Sequence, residues 1–339
     1  MDLIDWVRSF PRRVIIPVGG LPGAALSGTT VRSNMCDGAV KAASAVSYVE
    51  EYGPDAVFHI GDVAVEAEAM GVSVGFPEEN MPEVLAPLVR EPGDIHRLRM
   101  PDFTGPAGRT GVDVECVRLL AQRFPQLPVF AQVTGPFTIA SALVGHERAC
   151  RLTVTDRPFL QRLLDVCTEV TLGFARAQLE AGGTILWIGE PMGSLLSPST
   201  FAALCVPPLQ RIVAACGVMS ILHVCGNTSA HLRTLADTGV QGLSLDSAVD
   251  LPTAARALPG DVVLMGNIHP VAVARFGTPD SVRAAADTLL DAMDGFDNFI
   301  LSTGCSTPVD SPPENIKALI AAARERPRAL KTTSLTECT

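Results

Sequence analysis

The strongest constraint on this chain is a regular alternation of short, unbroken apolar runs with longer amphipathic stretches. The runs are Val14–Val18, Ala56–Ile60, Pro128–Val133, Thr184–Ile188, Met219–His223, Gly242–Leu245, Val262–Met265 and Phe299–Ser302. Each is rich in Val, Ile, Leu or Phe and ends near Gly, Asp, Asn, Glu or Cys. Runs that do not alternate with polar residues suit strands buried on both faces of a parallel sheet. Between them the spacing is helical: Leu160, Leu163, Leu164, Cys167, Val170, Phe174 and Ala177 share one face of a helix predicted over Phe159–Ala181. Further helices are predicted over Ser199–Cys216, opened by Ser197-Pro198-Ser199, and over Pro313–Arg324, opened by Ser311-Pro312-Pro313-Glu314. Eight strand–helix alternations predict an α/β chain folded as one (β/α)8 TIM barrel, with an open doubly wound sheet as the alternative. The 339 residues then form a single barrel domain. It has an N-terminal extension before the first run, a Pro-rich insertion over the mouth at about 77–102, and a polar, flexible tail at about 329–339.

Composition narrows the partners. With a net charge of −10 and no basic stripe, a nucleic-acid partner is not expected. No apolar run reaches the roughly 18 residues of a membrane span. Met1–Arg13 carries Asp2 and Asp5 and has no signal-peptide core, so a cytoplasmic protein is expected. Nine cysteines, odd in number and irregular in spacing, do not form a disulfide framework. Cys116, Cys167, Cys205 and Cys216 fall in helical patterns and read as packing residues.

In a barrel of this kind the chemistry sits where the strands end. The residues there are Asp62, Glu66 and Glu68 after the second run, and Gln132 and Thr134 after the third. Then come Glu190, His223 with Cys225, Asp246, Asn267 with His269, and Cys305. Residues two apart in an extended segment point the same way, so His223 and Cys225 can share one metal ion. Cys305 follows a Gly-led turn after the last run, and its loop would have to converge on the others over the barrel axis. A buried histidine with a packing cysteine is the plainer reading of the same pair. No glycine-rich nucleotide loop stands out; Val18-Gly19-Gly20-Leu21-Pro22-Gly23 lacks dinucleotide-binding spacing.

The segments His223-Val224-Cys225-Gly226-Asn227, Gly266-Asn267-Ile268-His269-Pro270, and Thr303-Gly304-Cys305 through Pro313-Glu314-Asn315-Ile316 carry a resemblance. So does Asp62 through Gly71. They resemble the uroporphyrinogen decarboxylase superfamily. More narrowly, they resemble its zinc-dependent, corrinoid-linked methyltransferase branch, which includes the methylcobamide:coenzyme M methyltransferases. The resemblance runs from about Val14 to Arg324 and is strongest after Thr184. It implies the same barrel, a Zn2+ ion held by His223, Cys225 and Cys305, and methyl transfer between a corrinoid and a zinc-activated small thiol. Corrinoid-binding domains of this kind show Asp-x-His-x-x-Gly, and Asp94-Ile95-His96-Arg97-Leu98-Arg99 fails at the glycine. The corrinoid is therefore expected on a partner protein. Two departures stand out. The decarboxylases grip substrate carboxylates with an Arg-bearing N-terminal loop, whereas residues Pro17–Gly28 contain no Arg. Glu190-Pro191 stands where coenzyme M enzymes often have Asp-Pro.

Zinc with one neutral imidazole and two thiolates is formally neutral, and an added substrate thiolate makes the site about −1. Around it, Glu190 reads as a fourth zinc ligand, a substrate-orienting group or a solvated loop residue. Asp246 reads as the acceptor for the second nitrogen of His223 or as a helix cap. Asp62 reads as a substrate contact or a helix N-cap. Gln132 and Asn267 read as substrate-binding residues, or as interior filler and a cap; His269 reads as a turn residue. Three other functions are compatible: a corrinoid-linked demethylase of a methoxylated or methylated small molecule, a decarboxylase-like lyase, and a non-catalytic zinc- or thiol-binding protein. The sequence also allows a homodimer.

Overall fold

A computed structural model describes residues 1–327 apart from 79, 104, 106 and 107; the expected tail at 329–339 lies outside the described residues. Among the described residues nine strands occur in chain order: β1 (Val14–Ile15), β2 (Ser73–Gly75), β3 (Glu83–Ala86), β4 (Phe130–Thr134), β5 (Ile185–Gly189), β6 (Met219–Val224), β7 (Gly242–Leu245), β8 (Val263–Ile268) and β9 (Phe299–Thr303). Seven of them form one parallel sheet in the order β1-β9-β8-β7-β6-β5-β4. The sheet curls until its two edges meet across residues 55–57. Asp55 N–H donates to Ile15 O at 3.0 Å, Val57 N–H to Pro128 O at 2.8 Å, and Phe130 N–H to Val57 O at 3.1 Å.

The second apolar run therefore occupies a strand position, but it forms only a single parallel bridge, Val57 to Val129, and not the full strand expected. The reason is local. Ile15 N–H donates to the Asp55 carboxylate (2.8 Å) where a ladder would offer a backbone carbonyl. Arg12 clamps that carboxylate at 2.7 and 2.6 Å.

Strand residues alternate between two cores, as a curled sheet requires. Val14, Phe130, Ile185, Trp187, Ile221, Val263, Met265 and Ile300 pack inside, with Phe58 from the bridging segment. Leu186, Ile188, Leu222, Val224, Leu243, Leu245, Phe299 and Leu301 pack outward against the helices. The N-terminal segment forms a helix, Leu3–Arg8, whose Leu3, Trp6 and Val7 join the inner core. Gly242 lets it approach, since a Cβ there would lie 2.7 Å from Leu3 Cδ2.

The region expected as an insertion, about 77–102, holds β3, which pairs antiparallel with β2 just before it, and then a 3-10 turn, Pro92–Arg97. The helix expected over Ser199–Cys216 is two helices, Pro198–Leu204 and Val206–Cys216, bent by 48°. Pro207 and Pro208 follow the break and have no N–H to continue the ladder. Among the described residues no single helix is long and apolar enough to cross a membrane. This bent pair passes by length and composition, yet it buries Phe201, Leu204, Leu209 and Ile212 in the outer core.

One ion pair ties two outer helices together: Lys41 of Gly38–Tyr52 reaches Asp113 of Gly108–Arg123, both buried. Removing one member strands a charge in the interior. Lys41→Met is expected to cost about 3–5 kcal/mol in urea unfolding, and the pair Lys41→Met with Asp113→Leu to recover most of it. A single-variant loss below about 1 kcal/mol would contradict this account.

Candidate metal centre and its cavity

Parallel register builds the site. Gly189 on β5 pairs with His223 on β6, and His223 pairs with Ser244 on β7. Paired residues point to the same face, so Ser244 Oγ meets His223 Nδ1 at 3.0 Å. Trp187 stacks on the imidazole, with centroids 5.3 Å apart and planes at 20°. Phe58 buttresses Trp187 edge-on at 4.9 Å. Gly189, without a side chain, leaves space beside the ring.

Two residues on, Cys225 Sγ lies 3.2 Å from His223 Nε2, while Val224 between them packs outward. Cys305 arrives from β9 and brings its sulfur to 3.9 Å from Cys225 Sγ. Gly304 makes this possible: a Cβ there would lie 2.4 Å from Ser247 N. Its N–H donates to Ile268 O at 2.8 Å and ties the turn to β8. The donor atoms of His223, Cys225 and Cys305 all lie within 4.8 Å of one another, and among the described residues no other group of His, Cys, Asp or Glu does this. The two sulfurs act as a couple. Their contact, with His223 beside it, draws the Cys305 thiol below its usual range and pushes Cys225 up.

The three residues line a cavity of about 300 Å3 at the strand ends, shared with Asp62, Gln132, Trp187 and, from the hairpin loop, Met81 and Pro82. The other expected site residues divide. Gln132 lines the cavity, but its Nε2 already donates to His59 O at 2.8 Å. Asp62 lines it too; one oxygen accepts from Ala64 N–H at 2.8 Å and the other pairs with Arg109.

Glu190 does not join the metal group. It is fully buried and turned onto the start of the helix Pro136–Val144, where it accepts from Phe137 N–H at 3.0 Å and Thr138 N–H at 2.6 Å. Four N–H groups at a helix start lack partners within the helix, and a carboxylate satisfies them. Burial nonetheless lifts its carboxyl to about 7, against these hydrogen bonds. Nor does Asp246 reach His223, because Ser244 holds the in-register position. Its oxygens accept from Gly226 N–H and Ala248 N–H, each at 3.0 Å. Burial works against the charge, but these donors keep the Asp246 carboxyl below the usual range. Asn267 is occupied as well: its amide donates to Asp246 O at 2.9 Å and Val249 O at 2.6 Å, pinning the loop after β7, and it does not line the cavity. His269 caps the following turn through Nδ1, 3.2 Å from Val271 N and 3.0 Å from Ala272 N.

The uroporphyrinogen decarboxylase (URO-D) profile matches residues 23–326. The chain belongs to the URO-D family. Methylcobamide:CoM methyltransferase MtbA of Methanosarcina mazei is 30% identical over 270 residues, 78% of this chain and 77% of that protein. Methylcobamide:CoM methyltransferase MtaA of Methanosarcina barkeri is 29% identical over 286 residues, 83% of each. A solved methyltransferase from Methanosarcina mazei superposes with a TM-score of 0.86 at 26% identity, covering 95% of this chain and 97% of that one. The chain is a methyltransferase enzyme of this family.

For a URO-D member the cations near the cavity matter, and sequence reading missed the relevant one. Arg109, on the helix Gly108–Arg123, pairs with Asp62 and with Glu68 at 2.5 Å, its guanidinium 5.0 Å over Phe76. Ser244 and Trp187 were missed for a different reason: each touches His223 only through register. Glu66 had been seen only as a strand-end residue. It is fully buried and accepts from Thr134 N–H and Oγ1, both at 2.6 Å.

Two outcomes follow. Gly304→Ala should displace the Cys305 loop and weaken metal uptake by about tenfold or more, read by competition with a chromogenic chelator; unchanged uptake would contradict the close-approach argument. Burial raises the Glu66 carboxyl from 4.5 to about 7. A raised folded value means the native state binds the extra proton, so stability from this group is present below 4.5 and lost as pH rises to about 7. Glu66→Gln should flatten the fall in unfolding free energy across that window; an unaltered pH profile would count against it.

Proposed function

We propose that this URO-D-family methyltransferase moves a methyl group from a corrinoid on a separate protein to a small thiol, at a zinc ion held by His223, Cys225 and Cys305. The observation that carries the reading is the convergence of one imidazole nitrogen and two sulfurs within 4.8 Å on the cavity wall. That donor set suits zinc: soft sulfur with nitrogen, charge-balanced against a dication, and three protein donors where a four-coordinate ion takes one more. With Nδ1–H donated to Ser244, Nε2 keeps its lone pair on the side of Cys225. When bound, the ion supplies the Lewis acidity that keeps a substrate thiol in its thiolate form at neutral pH.

The chain's own residues do the rest. Trp187, braced by Phe58, holds the His223 ring plane. The same aromatic wall excludes water from the sulfur, so the nucleophile meets the methyl group poorly hydrated. The methyl passes to sulfur as the carbon–sulfur bond forms; the cobalt–carbon bond breaks with both electrons left on cobalt. In the segment 94–99 Asp94 is occupied in capping its own turn, accepting from Arg90 N–H at 2.8 Å and Glu91 N–H at 3.0 Å, which argues against that segment as a corrinoid site.

The expected result is one zinc per chain, lost in His223→Ala, Cys225→Ala and Cys305→Ala. Thiol-dependent demethylation of methylcobalamin should fall in these variants by about a hundredfold or more, beyond what an outer partner costs. A protein that demethylates methylcobalamin with no thiol of a broad panel, even when zinc-loaded, would sink the proposal.

A further inference from the structure

We infer that the thiol accepted here carries a short, uncharged, apolar tail, and that the cavity excludes thiols with an anionic tail. The inference rests on the thiol-activating reading above and adds the substrate class. Beyond the metal group, the wall is built from Val18, Leu21, Phe58, Ile60, Val63 and Trp187. Among the described residues the only formally charged side chain lining it is Asp62, an anion. Arg109, the cation paired with the lining Asp62, is 8% exposed and committed to Asp62 and Glu68.

Two polar donors on the wall are engaged within the protein, while a second Gln132 N–H and Ser306 leave neutral polar contacts but no cation. Gln132 Nε2 donates to His59 O and the Thr134 hydroxyl to Glu66. A sulfonate or carboxylate tail would lose its water, face a carboxylate, and meet no free cation. A bound thiolate already adds one negative charge, so a second anion would be repelled at close range. An alkyl tail loses nothing on the same wall and gains by leaving water. At about 300 Å3 the cavity is at the lower end of small-molecule sites, which limits the tail to a few carbons.

The test uses the full chain loaded with cobalt(II), titrated with 1-propanethiol, 2-mercaptoethanesulfonate and 2-aminoethanethiol. Affinities are referred to thiolate concentration. The readouts are sulfur-to-cobalt charge-transfer absorption and quenching of tryptophan fluorescence; Trp187 lines the cavity and the second tryptophan, Trp6, does not. Propanethiol should bind at least about tenfold more tightly than the sulfonate thiol. Val63→Lys, at an exposed point of the wall, should raise the affinity for the sulfonate thiol relative to propanethiol by about fivefold. Either charged thiol binding as tightly as propanethiol, or a Val63→Lys variant indifferent to charge, would overturn the inference and leave the proposed function standing. Cobalt uptake with no spectral response to any thiol would overturn the proposed function, and this inference with it.

Discussion

Gly189, His223 and Ser244 lie side by side on three hydrogen-bonded parallel strands, and the rest of the site is built outward from that alignment. Register decides which side chain His223 meets on each flank: a hydroxyl on one side, open space on the other. The strand's two-residue period then places Cys225 beside the imidazole without any further device. Cys305 lacks this advantage, since β9 is separated from β6 by β7 and β8. Its position depends on the contact between Gly304 and the backbone at Ser247, where any Cβ would intrude. One pair of candidate donors is thus set by strand geometry, and the third by a glycine.

The acidic residues around the site hold its shape. Glu190 satisfies the start of one helix, and Glu66 takes the N–H and hydroxyl of Thr134 at the end of β4. Asp246 joins the loops after β6 and β7 by accepting from Gly226 and Ala248. Glu66 and Glu190 each make a contact of 2.6 Å to a backbone N–H, and Asp246 makes two of 3.0 Å. Glu66 and Glu190 are fully buried, and for both, burial outweighs these hydrogen bonds and lifts the carboxyl. They serve the loop scaffold, and the sulfurs and the imidazole remain as the candidate donors on the cavity wall.

Much of this was legible from the chain. Apolar runs without alternation located six of the seven strands of the main sheet closely and the short β1 more loosely. The two-residue spacing of His223 and Cys225 stated their common direction. What was not legible depends on contacts between segments far apart in sequence. Nothing in residues 56–60 announces that the Asp55 side chain will take the N–H of Ile15 and interrupt a strand. By sequence Asp246 could be either the partner of His223 or a cap of the following turn. Only the pairing of β6 with β7 shows that Ser244 stands two residues closer. Glu190, a candidate zinc ligand or substrate contact by sequence, and Asn267, a candidate pocket residue or cap, each turn to satisfy backbone groups of a neighbouring helix or loop. The double-proline break after Cys205 was visible in the sequence but was overridden by the apolar periodicity around it.

Arg109 shows why a family fold does not by itself settle a substrate. A barrel of this kind can present a cationic mouth to a polycarboxylate or a soft-metal centre to a sulfur nucleophile, and the two needs compete electrostatically. In this chain the loop after β1 has no arginine, and the arginine that comes near from a later helix is compensated by Asp62 and Glu68. A guanidinium left free beside the cavity would attract carboxylates; paired on two sides, it instead fixes Asp62 at the rim. The compensation removes the attraction a polyanion would need and leaves a low-charge, largely apolar wall beside the sulfurs. The charge arrangement, more than the strand topology, is what separates this chain physically from an enzyme built to hold a porphyrinogen.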